Sequence, residues 1–209
     1  MLKDFVKADK PQEDELKQRC EAAGEKLNRQ QTMIKEHKIP VLVLMEGWGT
    51  AGKGSIIGEV IQNLDPRFFK VAAMNAPTIE EQRKPFLYRY FQKIPEAGKF
   101  MFLDTGWMDE ITRHRLNGEM SDATYEHRLE SVRNFERQLT DNGYVVLKFF
   151  CHISEKEQKK RIEALDDNID TRWRVGDFDK WQNKHYEKCL KIYDRYMEET
   201  NQSSAPWYV

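Results

Sequence analysis

Residues 47 to 55 read Gly-Trp-Gly-Thr-Ala-Gly-Lys-Gly-Ser and follow the apolar run Val41-Leu42-Val43-Leu44-Met45. From Gly47 to Lys53 the spacing is G-x-x-x-x-G-K, the pattern of a loop that holds phosphate oxygens with its backbone amides. Side chains would block that approach. Glycines at 47, 49, 52 and 54 clear it and permit unusual backbone angles, and Thr50, Ala51 and Ser55 keep the rest of the cradle small. Lys53 supplies a point charge for terminal phosphates, and a helix opening at the loop's end would turn its positive N-terminus toward them. Gly54 is irregular, because Ser or Thr at that position would offer Mg²⁺ a hydroxyl. With Gly and Lys each near ~7% of residues, the bare pattern arises in roughly one chain in twenty, so its setting after a strand and before a helix decides for a phosphate loop.

Asp104 ends a second all-apolar run, Phe100-Met101-Phe102-Leu103. A carboxylate at such a strand end lies at the crevice of a parallel sheet, where it would hold Mg²⁺ beside phosphates. Arg172-Trp173-Arg174 places two cations that project to similar sides if the segment is extended, with Asp166, Asp167 and Asp170 available to hold them when no ligand is bound. The five histidines are dispersed, and Cys20, Cys151 and Cys189 show neither metal spacing nor a disulfide pattern.

The elements that would position these groups can be read from periodicity and punctuation. Leu16, Cys20, Ala23, Leu27 and Ile34 form one apolar stripe on a helix over residues 12 to 38, expected to pack on the core. Strands are expected at 41–45, 69–74, 100–104 and 145–150, with a short fifth beginning at Trp207. Helices follow at Ser55–Leu64 and at Thr78 to about Lys93, broken near Pro85. Others run from Ser121 to Leu139 and from Ser154, and a further helical stretch reaches about Glu199. Strands alternating with helices predict a parallel sheet covered on both faces. Ending inside an apolar run, the chain reads as part of a longer one. Its 209 residues, 39% hydrophobic and 33% charged, suit a single α/β domain. The 34 basic and 35 acidic residues nearly cancel, which argues against nucleic acid or a membrane surface as a partner and leaves the cytoplasm as the expected location.

The chain resembles the polyphosphate kinase 2 family from about Leu27 to Val209. The likeness is carried by Glu46-Gly47, Ala51-Gly52-Lys53-Gly54, Asp104 with Trp107, Phe135-Glu136-Arg137, Glu157-Gln158-Lys159-Lys160-Arg161, Thr171-Arg172-Trp173-Arg174 and Ala205-Pro206-Trp207. Within the family it looks most like the N-terminal half of the two-domain form, the polyphosphate:AMP phosphotransferase. The resemblance implies a P-loop kinase fold: a five-stranded parallel sheet flanked by helices, with a helical lid at about 155–200. It also implies Mg²⁺-dependent phosphoryl transfer between inorganic polyphosphate and a nucleoside mono- or diphosphate, with a second similar domain or a second copy as companion. Lys53 would bind phosphates, Asp104 would hold the metal, Arg172 and Arg174 would come from the lid, and Arg115 matches a family arginine. Three departures oppose this. Family members carry Asp at position 49, where this chain has Gly49, and arginines where it has Thr105 and Glu110. Such losses are expected to remove on the order of 10³-fold in rate, so an impaired, phosphate-binding domain stands as the alternative to an active one. On that reading, Asp restored at 49 should strengthen Mg²⁺ binding.

Overall fold

The structure, a computed structural model, describes residue 2 and residues 11–209. The rest of the expected N-terminal segment before Pro11 lies outside the described residues. Among these, β1 (Val41–Gly47), β2 (Phe69–Ala73), β3 (Phe100–Asp104), β4 (Val145–Cys151) and β5 (Trp207–Tyr208) form one parallel sheet in the order β2-β3-β1-β4-β5. β1 is central and buried from Val41 through Glu46. Its alternation serves two cores: Leu42 and Leu44 face one side, Val41, Val43 and Met45 the other.

The first core packs under α5 (Trp107–Leu116), α6 (Asp122–Asp141) and α9 (Tyr186–Thr200). α9 buries Tyr186, Cys189, Leu190, Tyr193, Tyr196 and Met197, so the segment expected to form the lid ends in a core helix. The second core lies beneath α2 (Lys53–Ile61) and part of α1 (Glu13–Glu36). In α1 only Leu27 and Ile34 of the expected stripe pack against it, whereas Leu16, Cys20 and Ala23 are exposed. The contact is set instead by Gly24 and Gln31. A Cβ on Gly24 would come within 2.3 Å of Asn63 Oδ1, and Gln31 Oε1 accepts from the Asp65 amide at 2.8 Å. The crossing point follows the smallest residue, not the most apolar one.

Between β2 and β3 the expected helix becomes two short ones, α3 (Ile79–Gln82) and α4 (Tyr88–Phe91), separated by Pro85. Thr78 and Glu81 form the expected capping box. The Arg172–Arg174 segment is a 3₁₀ turn between α7 (Glu155–Asp166) and α8 (Asp177–Lys184), so the two arginines do not share an extended face. No helix of the described residues is long and apolar enough to cross a membrane.

Candidate functional site

The loop after β1 is shaped by residues in left-handed backbone conformations. Gly47 has φ 136° and Gly52 φ 95°, as glycine permits. Thr50 at φ 60° and Thr105 at φ 70° are β-branched residues in that region, where backbone strain collects at functional sites.

Hydrogen bonding divides the loop amides into two sets. Trp48 N–H donates to Cys151 O at 3.2 Å, Ala51 N–H to Trp48 O at 3.2 Å, and Gly49 N–H to Gln182 Oε1 at 2.8 Å. Among the described residues no acceptor meets the amides of Thr50, Gly52, Lys53, Gly54 and Ser55. Lys53, Gly54 and Ser55 open α2, where helical amides have no partner of their own, and such a helix start is suited to an anion. Lys53 Nζ folds back to donate to Trp48 O at 3.1 Å.

Trp48 anchors this loop. It is fully buried, stacks on Tyr186 at 4.0 Å and 8°, meets Tyr193 edge-on at 5.2 Å, and donates Nε1–H to His152 Nδ1 at 3.0 Å. That bond needs an unprotonated Nδ1, and burial pulls His152 below the ordinary imidazole value, with Asp194 opposing. A base depressed in the folded state stabilises the fold above its unfolded value of about 6.5 and loses that contribution as pH falls through the folded value. Between about pH 7 and about pH 5 the urea midpoint is therefore expected to fall further in wild type than in His152→Asn, whose amide oxygen accepts at every pH. Parallel declines would remove His152 as the cause.

Asp104 pairs in register with Met45 and so lies beside the loop; a Cβ on Gly54 would be 3.3 Å from its Oδ2. Neighbouring carboxylates are otherwise engaged. Asp109 makes a two-pronged ion pair with Arg113 at 2.9 Å. Glu46 is fully buried and accepts from the amides of Met108 and Asp109 at the start of α5, at 3.0 and 3.4 Å. Burial, then Asp109, pushes its carboxyl up to about 8, which leaves it neutral near pH 7. Among the described residues no group of three His, Cys, Asp or Glu could hold a metal. Asp104 would thus offer a hard cation a single carboxylate, as suits a metal that takes its other ligands from phosphates and water.

The remaining expected residues are less convergent. Arg115 stands at the far end of α5, where it donates to Met120 O at 2.7 Å and pairs with Asp122; it is not gathered with the loop. Arg172 and Arg174 are exposed, and among the described residues no carboxylate pairs with either; Asp166 holds Lys180 instead, at 2.7 Å. Arg174 lies 5.2 Å from the Trp173 ring. Glu110 is neutralised within the fold, accepting from Tyr90 OH at 2.8 Å and lying 3.7 Å from the buried Arg89.

Four residues at the loop were given no place there by the sequence, although Gln158 and Arg161 fall in a segment that carries the family likeness. Arg161 donates to Ala51 O at 3.0 Å and Thr50 O at 3.4 Å while paired with Glu157. Gln158, Asp179 and Gln182 contact Gly49. Their i, i+3 spacing (158 with 161, 179 with 182) was the available signal, since it puts each pair on one helix face. The closing partner across space was not readable.

The polyphosphate kinase 2 family model matches residues 10–209. A polyphosphate:AMP phosphotransferase of Pseudomonas syringae pv. tomato is 29% identical over 183 residues, which is 88% of this chain and 37% of that protein. An AMP/ADP-polyphosphate phosphotransferase of Meiothermus ruber is 30% identical over 182 residues, covering 86% of this chain and 67% of the relative. The chain thus spans little more than a third of the Pseudomonas relative. The crystal structure of polyphosphate kinase 2 from Arthrobacter aurescens superposes with a TM-score of 0.86 at 29% identity, over 91% of this chain and 69% of that one. Because the family model matches residues 10–209, nearly the whole length, the chain belongs to the polyphosphate kinase 2 family.

Proposed function

We propose that this chain is a phosphotransferase domain acting between inorganic polyphosphate and a nucleoside mono- or diphosphate. The carrying observation is the set of amides at Thr50 and Gly52 to Ser55 that meet no acceptor among the described residues, beside Lys53 and Asp104. Relatives named for AMP, ADP or NDP and polyphosphate support that substrate pair. In this reading the amides and Lys53 hold one phosphate chain, and Lys53 exchanges its bond to Trp48 O for a phosphate oxygen. Arg172 and Arg174, which no carboxylate among the described residues pairs with, approach the polyanion from outside. Asp104 would hold Mg²⁺, which would supply charge neutralisation at the phosphates. The transfer breaks a P–O bond in the donor and forms one to a nucleotide phosphate oxygen, so positioning and charge neutralisation do the catalysis. The cytoplasm, where such nucleotides are held, is the proposed location.

A second reading is a phosphate-binding domain with impaired catalysis, serving an active companion domain. It is favoured by the commitment of Asp109 to Arg113 and of Glu110 to Arg89, which leaves Asp104 with little help. A coupled assay of AMP and ADP phosphorylation with long-chain polyphosphate separates the two. Under either reading Lys53→Ala is expected to weaken tripolyphosphate binding by about tenfold or more, measured by calorimetry at low salt. Equal affinities would sink the phosphate role of the loop.

A further inference from the structure

The peptide at Gly49 is gripped on both sides by two buried glutamines from different helices. Gln182 of α8 and Gln158 of α7 are 2% and 0% exposed. Gln182 Oε1 accepts from Gly49 N–H at 2.8 Å and from Gln158 Nε2 at 2.7 Å. Gln158 Nε2 also donates to Gly49 O at 3.3 Å, while its Oε1 accepts from Asn183 Nδ2 at 3.2 Å. Gln182 Nε2 donates to Tyr193 OH at 2.6 Å, and Tyr193 meets the Trp48 ring edge-on. Every polar atom of the two amides is used, and the circuit closes from α7 and α8 through the core helix α9 back to the loop. Buried polar networks that are fully satisfied rigidify what they join.

Gly49 N–H is therefore the loop amide committed to a side chain, immediately before Thr50, whose amide meets no acceptor among the described residues. Fixing the 49 peptide fixes the entry into the left-handed turn at Thr50, and with it the direction of the amides that follow. We infer that Gln182 and Gln158 are positioning residues for phosphate binding: they act on the ligand through the Gly49 peptide and hold the cradle in shape before anything binds. This rests on the phosphate-binding reading given above. It also divides the expected lid. The glutamine ends of α7 and α8 are part of the loop's wall, and the segment between them carries Arg172 and Arg174.

The test pairs Gln182→Leu, close in shape but unable to accept, with Val132→Ala, a core truncation on α6 remote from the loop. Amide hydrogen exchange at Gly49 and tripolyphosphate affinity are both measured well below the unfolding temperature. Slow Gly49 exchange in wild type, faster exchange in Gln182→Leu, and an affinity loss of about tenfold absent from Val132→Ala are expected. Unchanged affinity in Gln182→Leu while wild type binds would overturn the positioning role alone. Fast Gly49 exchange in wild type would overturn the clamp itself. Failure of wild type to bind tripolyphosphate would instead overturn the phosphate reading, and this inference with it.

Discussion

Gly49→Asp is expected to destabilise the domain by about 2–3 kcal/mol and to weaken phosphate binding, the reverse of what the family pattern alone suggests. A Cβ at Gly49 would lie 2.0 Å from Asp179 Oδ1 and 2.7 Å from its Cγ, so any side chain there must displace that carboxylate. Asp179 is not free to leave at no cost, because its Oδ2 accepts from the Gly176 amide at 2.8 Å and so caps the start of α8. An Asp at 49 adds like-charge repulsion to the overlap. Five variants apportion the cost by double-mutant cycle: Gly49→Ala carries the overlap without the charge, Gly49→Asp carries both, and Asp179→Ala is made alone and combined with each. In the Asp179→Ala background at least half of the loss should return, and there Gly49→Asp should tighten binding of tripolyphosphate with Mg²⁺. A Gly49→Asp single variant as stable as wild type and tighter for Mg²⁺ would disprove the pairing of Gly49 with Asp179.

That pair also marks how far the sequence could carry the site. The loop's glycines, Lys53 and the strand-ending Asp104 are local features, and the structure brings them together because Met45 and Asp104 are register partners on adjacent strands. Except for α5, the order of strands and helices was equally legible from apolar runs and caps such as Thr78 with Glu81. α5 was missed because its start at Trp107 is capped from outside, by Glu46 on β1, and no residue just before it signals a helix. Gly49 looked like a lost metal ligand because its meaning depends on Asp179, 130 residues later and on another element. Arg115 matched a motif position yet serves the turn into α6. One-dimensional spacing reports which residues share a face; it does not report which face another helix will cover.

The stability of the β5 edge depends on a buried ion pair, and Lys148→Met is expected to cost about 3–5 kcal/mol. Lys148 and Glu136 side chains are both wholly inaccessible, with Nζ to Oε2 at 2.7 Å. Lys148 also donates to Thr200 O at 2.7 Å and lies 4.9 Å from the Trp207 ring, while Gln202 Nε2 supports Glu136 Oε2 at 3.1 Å. A lysine in the middle of β4 is thus the hub joining α6, the end of α9 and β5, which explains how a strand of two residues keeps its place. Burial pushes Glu136 up and Lys148 down, and their contact opposes both shifts. Removing Lys148 takes away the main opposition, so Glu136 would hold its proton to higher pH in the folded state. An acid raised by folding stabilises below its unfolded value and loses that contribution as pH rises through the folded one. The deficit of Lys148→Met should therefore be smaller near about pH 5 than near about pH 8. Glu136→Gln combined with Lys148→Met removes the buried charge altogether and should recover most of the alkaline loss, because the penalty lies in the orphaned carboxylate more than in the missing attraction. Chemical denaturation of wild type, Lys148→Met and the double variant at both pH values measures this directly. If the double variant is as unstable at alkaline pH as Lys148→Met, packing around Trp207 rather than charge pairing holds the edge.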